Sequence, residues 1–148
     1  MSDQTTITAT QISLVKETWT KVVPIADAAA NLFYSRLFEI NPQLAPMFAG
    51  ADMPQQRKKL VKAINLVVIS LEQFETLVPM ISEMGQRHVS YGVEDAHYDQ
   101  VGAALLWTLQ TGLEDGWSDE AEQAWAMAYQ LLANTMITGA NEVKLSAA

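Results

Sequence analysis

The chain contains no cysteine, which excludes a disulfide framework, a thiolate metal site and a redox thiol. Histidine is nearly as scarce. Of 148 residues only His88 and His97 carry imidazole, so chemistry that needs this ring has two candidates. Long hydrophobic runs are missing too: an apolar stretch such as Leu66 to Ile69 falls far short of the roughly 20 residues that span a bilayer. The first residues, Met1-Ser2-Asp3-Gln4-Thr5-Thr6, carry an acid and no apolar run, unlike a secretory signal peptide. Together these absences predict a soluble protein of a reducing compartment, the cytoplasm.

Basic residues are almost absent from the last third. Residues 94–148 hold nine acids and one base, Lys144, whereas residues 1–93 hold eight of each. Essentially the whole net charge of −8 therefore lies in the last third, which argues against nucleic acid and against anionic membrane surfaces as partners. This acidic region reads either as a solvated face that keeps the protein in solution or as a docking surface for a basic partner.

What is present is helix. With 49% hydrophobic residues, the chain is long enough for one domain, 1–148, with its own core; about 1–9 and 141–148 read as frayed ends. Ile12, Val15, Trp19 and Val22 form a first amphipathic stripe after Thr10, a candidate cap. Pro24 marks a break before a second helix with an apolar face of Ala30, Phe33, Tyr34, Leu37 and Phe38. Pro42 and Pro46 punctuate a short, tight segment ending at Phe48. A long helix then runs from about Pro54 to Leu71, another ends near His88, a further one starts near Asp95, and a last one follows Ser118. No segment alternates with period two, and no repeat or low-complexity stretch is present.

Two positions stand out on these stripes. Leu77, Ile81, Met84 and His88 share one helix face, and Gly92 and Val93 follow as a stop. A lone imidazole there is either a satisfied core residue or the ligand of something held in the core. On the long middle helix Gln56, Leu60, Ala63, Ile64 and Val67 share a face, and only Gln56 is polar. That amide is either the last turn surfacing into water or one polar group addressing a ligand in an apolar pocket.

Six ordered landmarks carry a resemblance that covers nearly the whole chain. They are Leu32-Phe33-Tyr34-Ser35-Arg36-Leu37-Phe38, the segment from Pro42 to Phe48, Gly85-Gln86-Arg87-His88, Tyr91-Gly92-Val93, His97-Tyr98-Asp99-Gln100-Val101-Gly102, and Ala124-Trp125 with Tyr129 after it. In these the chain resembles the globins, and within them the bacterial single-domain globins, relatives of neuroglobin and of the haem domain of flavohaemoglobins. The resemblance implies an all-α globin fold of about six to eight helices packed at steep angles around a haem.

The resemblance implies a b-type haem, with His88 as the proximal iron ligand. The second ring nitrogen of His88 is then expected to donate to a backbone carbonyl or hydroxyl. His97 is expected on the surface. Phe48 matches the aromatic wedge against the haem plane, and Leu60 the apolar residue over the iron. Ala63, Met84, Val93 and Val101 are expected to line the pocket. Lys59 and Arg87 are candidates to pair the haem propionates. The distal position matches Gln56, or Gln55 if the preceding loop is shifted by one, and Tyr34 matches a distal tyrosine. Tyr98 matches the tyrosine that backs the proximal histidine in flavohaemoglobins. The glutamate that completes that relay falls at or near Ala140, with Glu142 two residues on.

A phenol and an amide can both donate to a diatomic ligand such as O2, each charge-assisted bond being worth about 1.5–3 kcal/mol. The expected function is reversible binding of O2, with NO as a second gas, under Tyr34 and Gln56. Two alternatives remain. One is a nitric oxide dioxygenase fed by a separate reductase, since no GxGxxG string is present; the acidic last third is then a candidate docking face. The other is a haem-based gas sensor, disfavoured because no output domain follows. If Ala140 holds the glutamate position the relay is incomplete, which weighs against peroxidase-type chemistry.

Overall fold

A computed structural model describes residues 7–90 and 93–147, and every regular element among them is helical. Six α-helices follow one another: α1 (Ala9–Val22), α2 (Ala26–Ile40), α3 (Met53–Ile69), α4 (Val78–Ser90), α5 (Asp95–Leu113) and α6 (Asp119–Ala147). Short 3-10 turns at Val23–Ile25, Pro42–Phe48, Leu71–Leu77 and Glu114–Gly116 connect them. No single described helix is long and apolar enough to cross a membrane.

Short polar side chains start these helices. Thr8, not Thr10, caps α1: its hydroxyl accepts from the Gln11 amide at 3.1 Å, and the Gln11 side chain accepts from the Thr8 amide at 2.9 Å. That reciprocal pair is a capping box. The apolar stripe begins only at Ile12 because burial starts after the first turn does. Asp52 caps α3 by accepting from the Gln55 amide at 3.3 Å, and Ser118 accepts from the Ala121 amide at 3.1 Å at the head of α6. Pro79 falls in the first turn of α4, where a missing N–H goes unnoticed. Leu77 therefore ends the preceding 3-10 turn instead of belonging to the His88 helix. Of Gly92 and Val93, expected to stop α4, Gly92 lies outside the described residues, as does Tyr91. At the other end of the chain, α6 runs on through Ala147, beyond residue 141 where fraying was expected.

The apolar interior falls into two clusters. The larger one joins α1, α2, α3, α5 and α6 around Trp19, Phe33, Leu37, Leu105 and Trp125. Within it the Trp125 indole donates to the Thr18 hydroxyl at 2.6 Å, and that hydroxyl donates in turn to the Leu14 carbonyl at 2.7 Å, so no polar atom of this buried pair is stranded. The smaller cluster joins α4, α5 and α6 around Ile81, Tyr98, Ala133 and Met136. Val67, Phe74 and Tyr129, each half-buried, pack against both.

The α4–α6 pair is the most extensive helix contact among the described residues, and two glycines allow it. A Cβ at Gly85 would run into the Met136 carbonyl, and one at Gly139 into the Ser82 carbonyl. Each helix thus presents a bare backbone to the other, and α4 lies flush on α6 only three residues before His88. Between α3 and the segment containing α4 the chain bends by 110°. One arm of that bend carries Gln56 and Leu60, the other His88.

Candidate functional site

Helix α2 places Tyr34 and Phe38 on one face, one turn apart. The Tyr34 ring lies edge-on to Phe48 from the following 3-10 segment, with centroids 5.5 Å apart, and Phe38 stands 5.6 Å from the same ring. Gln56, in the second turn of α3, reaches this aromatic group. Its Nε2 donates to the Tyr34 hydroxyl oxygen at 3.3 Å. Gln55 is exposed, so the structure brings Gln56, not Gln55, to Tyr34. Beside it an ion pair between Arg57 and Asp27, at 3.0 Å, ties α3 to α2 and helps to hold that register. Burial pushes the Tyr34 phenol above its ordinary range, with the Gln56 hydrogen bond opposing. At neutral pH the phenol therefore keeps its proton. Since the amide donates to the phenol oxygen, the phenol's own O–H remains to be offered onward.

His88 lies near the C-terminal end of α4, half-buried. Its Nδ1 stands 2.6 Å from the Met84 carbonyl one turn earlier. A carbonyl only accepts, so the proton is assigned to Nδ1, and Nε2 becomes the unprotonated nitrogen with a lone pair for a metal. Burial holds the imidazole below its usual range, the Met84 bond opposes this, and the Arg87 charge adds to the lowering. The neutral form is the one a metal binds.

The other expected residues divide by side. Leu60 is half-buried and lines a small apolar cavity of about 20 Å³ with Phe33 and Ile64. Ala63 is half-buried on the same face, and Val101 packs against the larger cluster. Met84 and Val93 pack against the smaller one. Lys59 is exposed, and Arg87, also exposed, lies 3.8 Å from Glu83. Tyr98 is buried, and its hydroxyl has no hydrogen-bond partner among the described residues. Its carbonyl instead accepts from the Tyr129 hydroxyl at 2.6 Å. Ala140 is buried and Glu142 exposed, so no acid side chain occupies the buried position where the relay's glutamate was expected. His97 is more than a surface residue: its Nδ1 accepts from the Glu94 amide at 3.0 Å and closes the start of α5. Phe38 and Val67 were not singled out as site residues, although one sits four residues after Tyr34 and the other on the Gln56 stripe.

These features suit a flat, largely apolar group with one metal. The apolar core is divided, and Phe38, Phe48, Leu60 and Val101 beside the larger cluster and Leu77, Met84 and Val93 beside the smaller one are only partly covered. Phe48, Leu60 and Val101 would border such a group on the larger cluster's side, Met84 and Val93 on the other, with His88 as the metal donor.

Residues 31–136 match the Globin family. A flavohemoprotein from Chromobacterium violaceum is 35% identical over 127 residues, covering 84% of this chain and 31% of that protein. One from Bacillus subtilis is 27% identical over 128 residues, covering 85% and 32%. The chain thus spans about a third of the length of these curated relatives. A bacterial globin from Campylobacter jejuni superposes with a TM-score of 0.82 at 26% identity, covering 93% of this chain and 99% of that one. With the family match spanning most of its length and the fold shared with a solved bacterial globin, the chain belongs to the globin family.

Proposed function

We propose that this globin binds one b-type haem through His88 and holds O2, with NO as a second gas, beneath Tyr34. The observation that carries this reading is the hydrogen bond between His88 Nδ1 and the Met84 carbonyl, which orients a half-buried, neutral imidazole with Nε2 as its donor atom. Haem bound there would supply the iron at which a diatomic gas is held. The chain's own residues supply the rest. Phe48 stops the flat group from rocking, Leu60 and Val101 exclude water, and Lys59 and Arg87 have the reach to pair its propionates at the rim. Tyr34 donates its hydroxyl proton to the outer atom of the gas. Gln56 acts in series behind Tyr34, since its amide donates to the phenol oxygen and so strengthens the phenol as a donor.

His88→Ala is expected to abolish the sharp Soret band of the purified protein, and native haem binding in that variant would refute the assignment. One charge-assisted bond of about 1.5–3 kcal/mol corresponds to a change of about tenfold to a hundredfold. Tyr34→Phe should speed O2 release by that factor, and Gln56→Leu by less because its contribution passes through the phenol. Equal or absent effects would overturn the serial arrangement. The likeness to flavohemoproteins favours a second reading, in which the same site converts O2, NO and one electron to nitrate, the electron coming from a reductase. Mixing the O2-loaded protein with NO distinguishes the two: repeated turnover only when a reductase is present supports the enzyme, and a single stoichiometric reaction under all conditions supports the binding protein.

A further inference from the structure

The chain has four tryptophans, and two of them form a pair that the proposed gas site leaves unused. Trp19 of α1 and Trp125 of α6 are 5% and 3% exposed, with ring centroids 6.0 Å apart. Tyr129 follows Trp125 by one turn of α6, where side chains four residues apart are neighbours. It packs against both apolar clusters, and its hydroxyl donates to the Tyr98 carbonyl at 2.6 Å. Tyr98 belongs to the smaller cluster, against which Met84 packs one turn before His88. Aromatic rings thus run from the His88 side of the molecule to Trp19, which lines a cleft of about 380 Å³ between α1 and α3.

An oxidised ring is held where its proton has somewhere to go. Tyr129 meets a carbonyl, which accepts a hydrogen bond but not the proton, and the buried Tyr98 hydroxyl has no partner among the described residues. Burial holds both phenols above their ordinary range, so neither sheds its proton readily. The Trp125 indole donates to the buried Thr18 hydroxyl, which is itself committed to the Leu14 carbonyl. Trp19 differs. Its N–H donates to the Asn65 side chain at 3.0 Å, and Asn65 is exposed, so water can take the proton there.

We propose that Trp19 and Trp125 carry electrons, one at a time, from the α1–α3 cleft to peroxide in the His88 pocket, with Trp19 as the outer donor. The inference rests on the haem reading of that pocket. Reducing hydrogen peroxide to two waters consumes two electrons and two protons. In each of two crossings Trp19 passes one electron inward through Trp125 and releases its N–H proton to water at Asn65, while the pocket takes up one proton from water. A small reductant in the cleft, such as ascorbate, then returns one electron and one proton to Trp19. The alanine at position 140 bears on how fast the peroxide bond breaks, not on which side chain supplies the electrons.

The test treats the haem-loaded, full-length protein with equimolar hydrogen peroxide in the absence of reductant and maps oxygen addition by peptide mass spectrometry. Trp19 is expected to carry most of the added oxygen, although Trp107 and Trp117 are both less buried. Ascorbate should suppress this modification, and Trp125→Phe should abolish it. Should Trp125→Phe misfold, Trp19→Phe is the second variant: damage should move to Trp125, and the Soret band should bleach faster. Tyr129→Phe should leave the Trp19 yield nearly unchanged, because its ring bridges the gap without losing a proton. Oxidation spread over Trp107 and Trp117, or undiminished at Trp19 in protein stripped of haem, would mark direct attack from solution and overturn the proposal. So would damage confined to Tyr98 and Tyr129. The Soret band of each sample separates the two failures. Without a band the haem reading itself falls; with one, an unmodified Trp19 refutes the electron path alone.

Discussion

Gly85→Ala should destabilise the protein and disturb its imidazole site at the same time. The added Cβ meets the Met136 carbonyl of α6, and backbone cannot move aside as a flexible side chain can. The helices must therefore separate locally. Overpacking of this kind costs about 1–3 kcal/mol, and contact with backbone places it at the upper end. Alanine returns about 1 kcal/mol through its better helix propensity, which leaves a net loss of about 2 kcal/mol. Gly139→Ala meets the Ser82 carbonyl in the same crossing and should cost a similar amount. The double variant should lose less than the two single losses combined, because a crossing once opened admits the second methyl more easily. Gly50→Ala is the control, since nothing lies within 4 Å of its Cβ. Urea unfolding at constant m-value measures each loss, and the optical spectrum of the haem-loaded protein reports on His88 three residues downstream. If Gly85→Ala were as harmless as Gly50→Ala, glycine would not set the α4–α6 spacing and this account of how α4 is seated would fail.

Thr18→Val should cost about 1–3 kcal/mol in the same assay, because it strands the buried Trp125 N–H; the loss should shrink in a Trp125→Phe background. Burial holds Tyr34, Tyr98 and Tyr129 above the usual phenol range. The unfolded chain therefore loses these protons first, so their contribution is intact below pH 10 and is lost as pH rises through the folded values. Each adds up to about 1.4 kcal/mol of destabilisation per pH unit on that alkaline limb, and Tyr129→Phe should flatten it; an unchanged limb would show that Tyr129 does not titrate there. Glu114 holds a left-handed φ of 47°, a conformation costing about 1–3 kcal/mol for a side-chain-bearing residue. Glu114→Gly should accordingly raise stability by about 1 kcal/mol, and a lower urea midpoint would refute that strain.

Periodicity made the inward faces legible, because a residue's place on a helix depends only on its near neighbours in sequence. The Gln56-to-Val67 stripe of α3 and the Ile81–Met84–His88 stripe of α4 both survive in the structure. Helix ends were less legible: the apolar stripe marks where burial begins, and the Thr8–Gln11 capping box lies outside it. Contacts between distant segments left no local trace. Gly85 and Met136, or Gly139 and Ser82, are more than fifty residues apart, and no spacing rule pairs them. The direction of the Gln56–Tyr34 bond was equally hidden, since two donors set side by side in sequence logic turn out to be stacked in series.

That series arrangement divides the labour between the two sides of the proposed pocket. His88 is seated by helix backbones in direct contact and by a carbonyl of its own helix, so its position is coupled to global stability. Tyr34 and Gln56 are joined by one hydrogen bond at 3.3 Å, flanked by an ion pair whose acid, Asp27, is mostly exposed. Exposed pairs of this sort contribute about 0–1 kcal/mol, so the Gln56 side adds little to global stability. Substitutions on the His88 side should therefore change stability and ligand binding together. Those at Gln56 should change ligand release while leaving the unfolding midpoint nearly where it was, and a large stability loss in Gln56→Leu would contradict this division.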